Sequence, residues 1–571
     1  MFKIPYGISN FERIRKEKFL YVDKTRFIEK LEALSYIIHL RPRRFGKSLF
    51  LDMLDTYYDI NHADKFDELF SGLAIHEKPT RNKNNYYILR LNFSGIQNTE
   101  MEGLEAGFVR AVKDGARQFI NRYELDIEVP IADSAASVLS NLITSFERLK
   151  LKNKIYILID EYDHFTNSVL SGDGESFLSV LRRGGYVRSF YEVIKDKTGT
   201  GVVERLFITG VMSVTLDSMS SGFNIASNIT TYPEFADVMG FTNDEVKEIL
   251  RLSFAKSENA DDVVSLTSNE QAEVYKIFRE NYNGYLFSRR SESKVFNSTL
   301  IMYYLKNYFP NKIAPENLID PNLNQTGTTI ENIAGLKNSE QNYRIIEQIV
   351  RDKQIYGTLQ PFINVDVKFD HDDLITLLFN IGMLTIKGFD MEIQFEMPNK
   401  IIEGIYLQYL SNLIQKQSEY NLSLASQRDA IMEFGRQGKI NLLTDLVSEF
   451  LMHTSNRNTR NFDEKYIKLA YMMILAYSNQ FIVYDELPAL QGFSDILIFK
   501  APASTARYEA MIELKYIKKG ESSEAKIEAE LAEGISQIKR YIQDKRLANR
   551  KNFKKFVIVF VGFEIARLVE L

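Results

Sequence analysis

Short apolar runs alternate with amphipathic stretches along the first half of the chain. Residues 36–40, 86–93, 155–159 and 205–210 have the length and apolar content of buried strands. Between them, apolar residues recur every three or four positions, as in residues 138–149, which predicts helices. Strands that alternate with helices predict an α/β domain built on a parallel sheet.

The first of these strands leads directly into a phosphate-binding pattern. Residues 41–48 read Arg-Pro-Arg-Arg-Phe-Gly-Lys-Ser, and apolar residues at helical spacing follow. A turn at Gly46 directs the amides of the new helix N-terminus at a phosphate, Lys47 adds a positive charge and Ser48 can ligate Mg²⁺. Arg41 stands where such loops usually have their first glycine. The arginines of this loop could contact phosphates or a neighbouring subunit, or could be ordinary surface residues.

Two later strand ends carry polar residues suited to nucleotide chemistry. The run 155–159 ends in Asp160 and Glu161, and Thr209 lies at the tip of the run 205–210. We expect Asp160 to hold Mg²⁺ and Glu161 to polarise the attacking water. Thr209 could sense the γ-phosphate, or it could be a hydrogen-bonded strand-end hydroxyl. The predicted nucleotide-binding residues are Arg44, Phe45, Gly46, Lys47, Ser48, Leu49, Asp160 and Thr209, with Ser48 and Asp160 at the metal.

The middle of the chain has a different pattern. Residues 243–305 are helical in pattern, and residues 310–345, rich in Asn, Pro, Gly and Ser, predict a long loop. A helix at 373–379, followed by short strands at 382–386 and 391–395, resembles a winged-helix module. Such a module could contact DNA, but we favour a lid on the nucleotide site.

A second group of charged residues stands near the C-terminus. Asp495 is near the start of one strand, and Glu513 and Lys515 lie on the next. Side chains alternate along a strand, so Glu513 and Lys515 share one face, and a hairpin can bring Asp495 beside Glu513. Adjacent carboxylates repel each other, which favours a divalent cation with oxygen ligands, Mg²⁺ or Mn²⁺. A nearby lysine could orient water or stabilise a phosphodiester oxyanion.

Neighbouring segments extend this pattern. Gln537 and Tyr541 stand four residues apart on an amphipathic helix, and so share a face. Glu464 begins an apolar helix, and Glu486 follows a strand. Residues 539–555 carry eight basic residues and one acidic residue, 8 − 1 = +7, which would attract a phosphate backbone. The alternative for this segment is a solvated helix face.

Composition limits the class of protein. A chain of 571 residues is long enough for about two to four domains. The absence of cysteine excludes disulfides, thiolate zinc sites and thiol catalysis, and it fits a reducing cytoplasm. No apolar run reaches the length of a membrane span, so we expect a cytoplasmic protein without a membrane partner. The net charge of −5 requires any nucleic-acid surface to be local.

Motifs in the first 400 residues resemble those of one bacterial family. The motifs at 5–8, 21–25, 41–48, 158–163, 208–211, 240–242 and 283–287 follow in the order seen in the predicted AAA-ATPase-like family with a C-terminal nuclease-like domain. The resemblance implies a P-loop NTPase domain. It also makes the Arg-Pro-Arg-Arg lead of the loop a family feature. Because this loop has fewer glycines, two alternatives stay open: slow hydrolysis of the nucleotide, or nucleotide binding without hydrolysis.

Residues 455–571 resemble the PD-(D/E)XK nuclease superfamily in its RecB-like branch. The resemblance rests on the order Glu464, Glu486, Asp495, Glu513, Lys515, Gln537 and Tyr541. It implies that Asp495 and Glu513 bind metal and that Lys515 is catalytic. Either Glu464 or Glu486 would complete the metal shell. Gln537 and Tyr541 would position the substrate.

The predicted fold is α/β, with a P-loop NTPase parallel sheet, a helical and winged-helix-like lid, and a C-terminal restriction-endonuclease-like α/β domain. The predicted domains are residues 1–242 (ATPase), 243–400 (lid), 401–454 (helical connector) and 455–571 (nuclease-like). We expect an ATP-hydrolysing protein whose Mg²⁺-dependent nuclease domain cleaves DNA under nucleotide control. The alternative is a nucleotide-switch scaffold that binds nucleic acid or protein without cutting. The oligomeric state is left open.

Overall fold

The chain divides into two compact units. The computed structural model describes residues 3–96, 103–163, 185–213, 225–254, 268–321, 325–336, 338–361, 363, 369–454, 463–485, 488–489 and 492–571. One unit comprises Met1–Phe309, Thr328–Ile345 and Gln354–Asn399, and the other comprises Pro310–Gly327, Ile346–Lys353 and Lys400–Leu571. The four predicted domains do not coincide with these two units, because residues 310–327 and 346–353 of the predicted lid belong to the second unit, and the domain bounds stay a prediction.

The first unit contains the predicted parallel sheet. Its strands are β1 (Tyr36–Leu40), β2 (Tyr86–Asn92), β3 (Lys154–Asp160), β4 (Val203–Gly210) and β5 (Ser227–Asn228). All pairs are parallel, in the order β2–β3–β4–β1–β5, which confirms the α/β class. Strand β4 lies between β1 and β3, so Thr209 is at the end of a strand flanked by the phosphate loop and the acidic strand.

Helices connect these strands and continue beyond them. The helices as far as residue 380 are Phe11–Lys16, Ile28–Leu31, Lys47–Tyr58, Phe66–Phe70, Ala74–Glu77, Leu104–Arg122, Ala135–Arg148, Gly185–Gly199, Asn243–Phe254, Ser268–Asn281, Ser298–Tyr308, Gln325–Ala334, Ser339–Asp352 and His371–Asn380, with 3₁₀ segments at Thr25–Phe27, Ile60–Lys65 and Pro233–Phe235. The prediction of a long loop over residues 310–345 is wrong from residue 325 onward, because the helices Gln325–Ala334 and Ser339–Asp352 lie there, whereas residues 310–320 form no helix. Ile330 and Ile333 are buried three residues apart, so an apolar stripe outweighs the loop-like composition.

The predicted helix and hairpin near residue 380 are confirmed. The helix His371–Asn380 begins with a capping box between Asp370 and Asp373. It is followed by β7 (Thr385–Asp390) and β8 (Glu392–Glu396), and β6 (Ile355–Gly357) completes an antiparallel sheet in the order β6–β8–β7. A helix beside a three-stranded antiparallel sheet agrees with the winged-helix-like description.

The second unit contains a mixed five-stranded sheet in the order β15–β14–β13–β12–β9. Its strands are β9 (Phe481–Tyr484), β12 (Ile496–Lys500), β13 (Glu509–Ile517), β14 (Phe553–Val561) and β15 (Glu564–Glu570), and a short hairpin joins β10 (Pro488–Ala489) to β11 (Gly492–Phe493). Only β13 and β14 pair in parallel among these described strands. The helix Glu524–Tyr541 makes the crossover between them.

The helices of this unit pack around the sheet. They are Lys400–Ser418, Leu424–Gln437, Asn441–Thr454, Glu464–Leu475, Glu524–Tyr541 and Lys545–Ala548, with a 3₁₀ turn at Lys519–Glu521. A core that includes Leu497, Met511, Ile538 and Val557 joins the crossover helix to the strands. At Gly534 a Cβ atom would lie 2.6 Å from Val557 Cγ1, so this helix lies close to the sheet. No helix in the described parts of the chain is long and apolar enough to cross a membrane.

Candidate functional sites

The phosphate loop closes through a left-handed turn. Gly46 has φ of 90° and ψ of 20°, a conformation that glycine adopts at little cost. The amide of Phe50 donates to the Gly46 carbonyl over 3.0 Å, so the helix Lys47–Tyr58 begins immediately after the turn. The free amides of that first turn suit an anionic phosphate.

The side chain of Lys47 folds back across the loop. Its Nζ donates to the carbonyl oxygens of Arg41 and Pro42, each over 3.0 Å. Burial lowers the pKa of Lys47 to about 8, and the carboxylates of Asp163 and Asp160 partly oppose this decrease. A phosphate oxygen could replace these neutral carbonyl oxygens as the acceptor of the hydrogen bonds that Lys47 donates.

The predicted polar strand ends face this lysine. Asp160 is buried, and burial raises its pKa against the opposing effects of a Ser48 hydrogen bond and of Lys47. Within the described residues, Asp160 Oδ1 and Thr209 Oγ1 are buried without a hydrogen-bond partner. Buried polar atoms of this kind are usually satisfied, so both fit a Mg²⁺-nucleotide complex. The structure thus brings together Lys47, Ser48 and Asp160, with Thr209 on the adjacent strand.

Glu161 has an unusual backbone conformation. Its φ of 51° lies in the left-handed region, which residues other than glycine rarely adopt. The carboxylate of Glu161 contributes to the electrostatic environment of Lys47 and Asp160. Strained backbone of this kind is often found at functional sites, and it directs Glu161 away from the regular path of β3.

Three residues that the sequence analysis missed secure the end of β3. The Asp163 carboxylate accepts hydrogen bonds from the amides of Val211, over 3.1 Å, and Met212, over 2.7 Å. The Tyr162 hydroxyl donates to the Met212 carbonyl. A Cβ atom at Gly210 would lie 2.4 Å from Asp163 Oδ1, so β4 must end in glycine here. The acidic segment is therefore fixed against the strand that carries Thr209.

Arg41 has a structural role and is not an ordinary surface residue, whereas its contact with phosphate stays a prediction. It is 1% exposed, and its guanidinium donates to the carbonyls of Thr230, over 2.8 Å, and Phe235, over 2.9 Å. The guanidinium carbon lies 4.2 Å from the centre of the Phe287 ring. Every strong interaction of this side chain is thus directed at the chain behind the loop rather than at a ligand.

Phe45 also contacts residues that are distant in the sequence. Its ring packs edge-on against Tyr285, at 4.9 Å between ring centres, and against Phe287, at 5.5 Å. Its carbonyl accepts a hydrogen bond from the Gly240 amide over 3.1 Å, and the Arg44 carbonyl accepts one from Thr299 over 3.2 Å. The motifs at 240–242 and 283–287 therefore support the phosphate loop, and Phe45 and Arg44 contribute to it through structure.

The C-terminal carboxylates come together as predicted. Asp495 precedes β12, and its Oδ2 accepts a hydrogen bond from the Leu514 amide over 2.8 Å. Lys515 Nζ lies 3.6 Å from Glu513 Oε1 and 3.4 Å from Glu533 Oε1. Glu513 is buried, and its Oε2 has no hydrogen-bond partner among the described residues.

Glu464 joins this acidic cluster, defined here as Glu464, Asp495 and Glu513. Burial raises the pKa of Glu464, and the neighbouring Asp495 carboxylate raises it further. The pKa of Glu513 is raised for the same two reasons, with Lys515 in opposition. Glu486, the other candidate ligand, lies outside the described residues. The cluster thus gathers three carboxyl groups in a site largely shielded from water, where burial and mutual repulsion favour the protonated forms of Glu464 and Glu513.

The two predicted substrate-positioning residues lie at the edge of the cluster. Burial and the carboxylates of Glu513 and Asp495 raise the pKa of Tyr541. Gln537 Nε2 donates to Glu533 Oε1 over 3.4 Å, the same oxygen that Lys515 approaches. Both residues therefore face the region of Lys515, from one side of the helix Glu524–Tyr541.

Lys468 is a further member of this site that the sequence analysis missed. It lies one turn after Glu464, and its Nζ is 3.1 Å from Asp495 Oδ1. The donor set suits Mg²⁺ or Mn²⁺, because carboxylate oxygens are hard ligands and Glu513 Oε2 is unsatisfied. Within the described residues, however, no three His, Cys, Asp or Glu side chains are already arranged to hold an ion.

The basic segment 539–555 is partly neutralised. Arg546 pairs with Asp544, Arg550 pairs with Glu509 over 2.7 Å, and Lys554 pairs with Glu570. Three of its eight basic residues therefore form ion pairs within the unit, and the charge available to a phosphate backbone is smaller than the sequence indicates.

Comparison with known proteins bears on both regions. The family model described as a predicted AAA-ATPase matches residues 5–220, and that of the PD-(D/E)XK nuclease superfamily matches residues 462–570. The resemblances to these two families are confirmed over the matched residues, whereas the RecB-like branch and the family motifs beyond residue 220 stay predictions. The matched residues cover the phosphate loop, the acidic strand end and the acidic cluster.

Two individual proteins are similar to parts of the chain. The "Uncharacterized protein in vnfD 5'region" of Azotobacter chroococcum mcd 1 is 28% identical over 249 residues, which are 43% of this chain and 44% of that protein. The chain thus spans less than half the length of this relative. The Walker-type ATPase PABY2304 of Pyrococcus abyssi aligns with 67% of this chain and 94% of its own, at 12% identity and a TM-score of 0.35.

Proposed function

We propose that the chain binds and hydrolyses ATP and cleaves DNA with a Mg²⁺- or Mn²⁺-dependent nuclease domain, under nucleotide control. The observation that carries the proposal is the convergence of Asp495, Glu513, Lys515 and Glu464 in a chain that also has a phosphate loop. Residues 1–242 are the ATPase domain, 243–400 the lid, 401–454 the connector and 455–571 the nuclease. The lack of cysteine supports a cytoplasmic location.

In the nucleotide site, each residue has a distinct task. Lys47 and the amides after Gly46 bind the phosphates. Ser48 and Asp160 hold Mg²⁺, which neutralises charge on the phosphate oxygens when it is bound. Glu161 orients the attacking water, and Thr209 donates its hydroxyl hydrogen to the γ-phosphate.

In the nuclease site, Asp495, Glu513 and Glu464 hold the divalent ion, and Glu486 is a further candidate ligand. A bound ion supplies Lewis-acid stabilisation of the phosphodiester and a more acidic water. Lys515, buried beside Glu513, stabilises the charge that develops on the phosphodiester oxygen. Tyr541 and Gln537 position the substrate at the rim, and the basic residues of 539–555 that are not paired within the unit attract the DNA backbone.

A cleavage assay tests this proposal. The full chain is incubated with duplex DNA, single-stranded DNA and RNA, with Mg²⁺, Mn²⁺ or a chelator, and with or without ATP. We expect metal-dependent cleavage of DNA that is lost in Asp495→Ala and depends on ATP. The absence of cleavage under every condition, in protein shown to bind ATP, would contradict the nuclease assignment.

One observation favours the scaffold alternative. Both oxygens of Asp495 are already bonded within the chain, one to Lys468 and one to the Leu514 amide. A domain that only binds nucleic acid would have no need to release them. Under this alternative, the protein still binds DNA when a chelator is present, and no cleavage product forms with any metal ion.

A further inference from the structure

The ammonium group of Lys468 lies inside the acidic cluster. It approaches Asp495 Oδ1 to 3.1 Å, and its side chain is 12% exposed. The helix Glu464–Leu475 brings it there, because residues four apart on a helix share a face and Glu464 belongs to the same cluster. No motif of the sequence analysis includes Lys468.

The two oxygens of Asp495 have partners of different kinds. Oδ2 accepts from the amide of Leu514, which is part of β13 and is fixed by the sheet. Oδ1 is paired with Lys468, whose four-carbon stem can rotate. Of the two partners, only Lys468 can leave without disturbing the backbone.

The charges of the site explain why a lysine is there. Three carboxylates, Glu464, Asp495 and Glu513, lie close enough to raise the pKa values of Glu464 and Glu513. Within the described residues, the ammonium groups that approach this cluster are those of Lys468 and Lys515. Burying carboxylates without opposite charge is costly, so the lysines stabilise the cluster while no metal is bound.

A divalent cation and an ammonium group that approach the same carboxylate oxygen repel each other, because both are positive and would lie within a few ångströms of each other. We propose that Lys468 is a positioning residue that serves as the internal counter-ion of Asp495, leaves Oδ1 when a divalent cation binds, and thereby sets the metal affinity of the site. This inference rests on the proposed metal-binding role of the acidic cluster. It explains why the carboxylates are gathered without being arranged to enclose an ion.

Metal binding, rather than cleavage, tests the role of Lys468. Mn²⁺ titrations of the full chain at pH 8, without nucleotide, are followed by calorimetry and by electron paramagnetic resonance. Lys468→Met removes a positive charge next to the ion, so we expect this variant to bind Mn²⁺ about tenfold or more tightly than wild type. Lys468→Arg, which keeps the charge, stays close to wild type. Lys465→Met is the matched control, since Lys465 is an exposed residue of the same helix, and its affinity is unchanged.

The possible outcomes separate this inference from the proposed function. Equal or weaker Mn²⁺ binding by both Lys468→Met and Lys468→Gln, in variants that unfold cooperatively on heating, overturns the counter-ion role. Asp495→Ala defines the background of other Mn²⁺ sites. If Asp495→Ala binds Mn²⁺ as tightly as wild type, the acidic cluster is not a metal site, and both the inference and the proposed nuclease fail.

Discussion

The nucleotide loop and the acidic cluster each contain a lysine turned inward, but the two lysines have opposite kinds of partner. Lys47 donates to two neutral carbonyl oxygens, each at 3.0 Å. Lys468 pairs with a carboxylate at 3.1 Å. The Lys468 pair joins two opposite charges, whereas the Lys47 bonds join one charge to neutral carbonyl dipoles, so we expect Lys47 to be released more easily than Lys468.

This difference matches the ligand expected at each site. In the proposed function the phosphate loop binds an anion, so Lys47 only has to exchange its carbonyl acceptors for phosphate oxygens. In the proposed function the acidic cluster binds a cation, so the ammonium group of Lys468 has to move away from Asp495. The loop is braced by Arg41 and Phe45 before any ligand arrives, whereas the cluster has to rearrange around Asp495. We therefore expect Lys47→Ala to lower nucleotide affinity and Lys515→Ala to lower the rate of cleavage.

The largest effect is expected at Lys515. Lys515→Ala removes the charge that stabilises the phosphodiester oxyanion, and we expect DNA cleavage to slow by about 10²- to 10³-fold. ATP affinity, measured on the same preparation, stays at the wild-type value. Lys500→Ala is the control, because Lys500 is an exposed lysine at the end of β12. Equal cleavage by Lys515→Ala and Lys500→Ala would remove Lys515 from the mechanism.

Lys47→Ala is expected to have the next largest effect. It removes two charge-assisted hydrogen bonds to phosphate, and we expect ATP affinity to fall by about a hundredfold. Calorimetric titration with ATP measures this change. Mn²⁺ binding at the acidic cluster is unaffected. Lys152→Ala, which changes an exposed lysine before β3, retains normal ATP affinity; a matching loss in that control would show that the assay reports overall charge.

Two glycine substitutions compare the rigidity of the regions. A Cβ at Gly210 meets the Asp163 carboxylate and the Tyr162 ring at 2.4 Å, whereas one at Gly534 meets a Val557 methyl at 2.6 Å and Glu513 Cγ at an ordinary contact distance of 3.6 Å. Gly210→Ala should therefore lower the free energy of unfolding by about 1–3 kcal/mol, and Gly534→Ala by less. Urea denaturation measures both, with Gly199→Ala as the control, since it meets no atom within 4 Å. The reverse order would argue against the rigid packing at the end of β4.

The smallest effect is expected at Thr209. Thr209→Val keeps the shape of a fully buried side chain and removes its hydroxyl. If that hydroxyl donates to the γ-phosphate in the transition state, ATP hydrolysis slows by about tenfold, the equivalent of one hydrogen bond. ATP affinity changes little. Steady-state phosphate release measures the rate, and an unchanged rate supports the plain strand-end interpretation.

Local patterns were sufficient to predict the main parts of both sites. The turn at Gly46, the acidic end of β3 and the hairpin that joins Asp495 to Glu513 depend on neighbouring residues, whose spacing is visible in the sequence. The predicted loop at 310–345 was wrong from residue 325 onward because burial of Ile330 and Ile333 outweighed composition. The roles of the site residues remain predictions, and Glu486 lies outside the described residues.

The roles that the sequence analysis did not predict belong to residues whose partners are distant in the sequence. Arg41 bonds to a carbonyl 189 residues away, and Lys468 pairs with Asp495 on a different element. Asp163 binds amides 48 and 49 residues further along the chain. The motifs at 41–48 and 158–163 include Arg41 and Asp163, but no periodicity or motif reveals the partners of these residues, because the contacts arise from the tertiary fold. In each case the residue positions the site rather than providing its chemistry.

In the proposed function, nucleotide bound at Lys47 controls cleavage at the acidic cluster. The most direct measurement is the rate of DNA cleavage as a function of ATP concentration, in Mg²⁺, for wild type and Lys47→Ala. We predict that the wild-type rate changes with ATP and that the Lys47→Ala rate does not, at concentrations that saturate the wild type. A cleavage rate that does not change with ATP in either protein, or that changes equally in both, would contradict nucleotide control through Lys47.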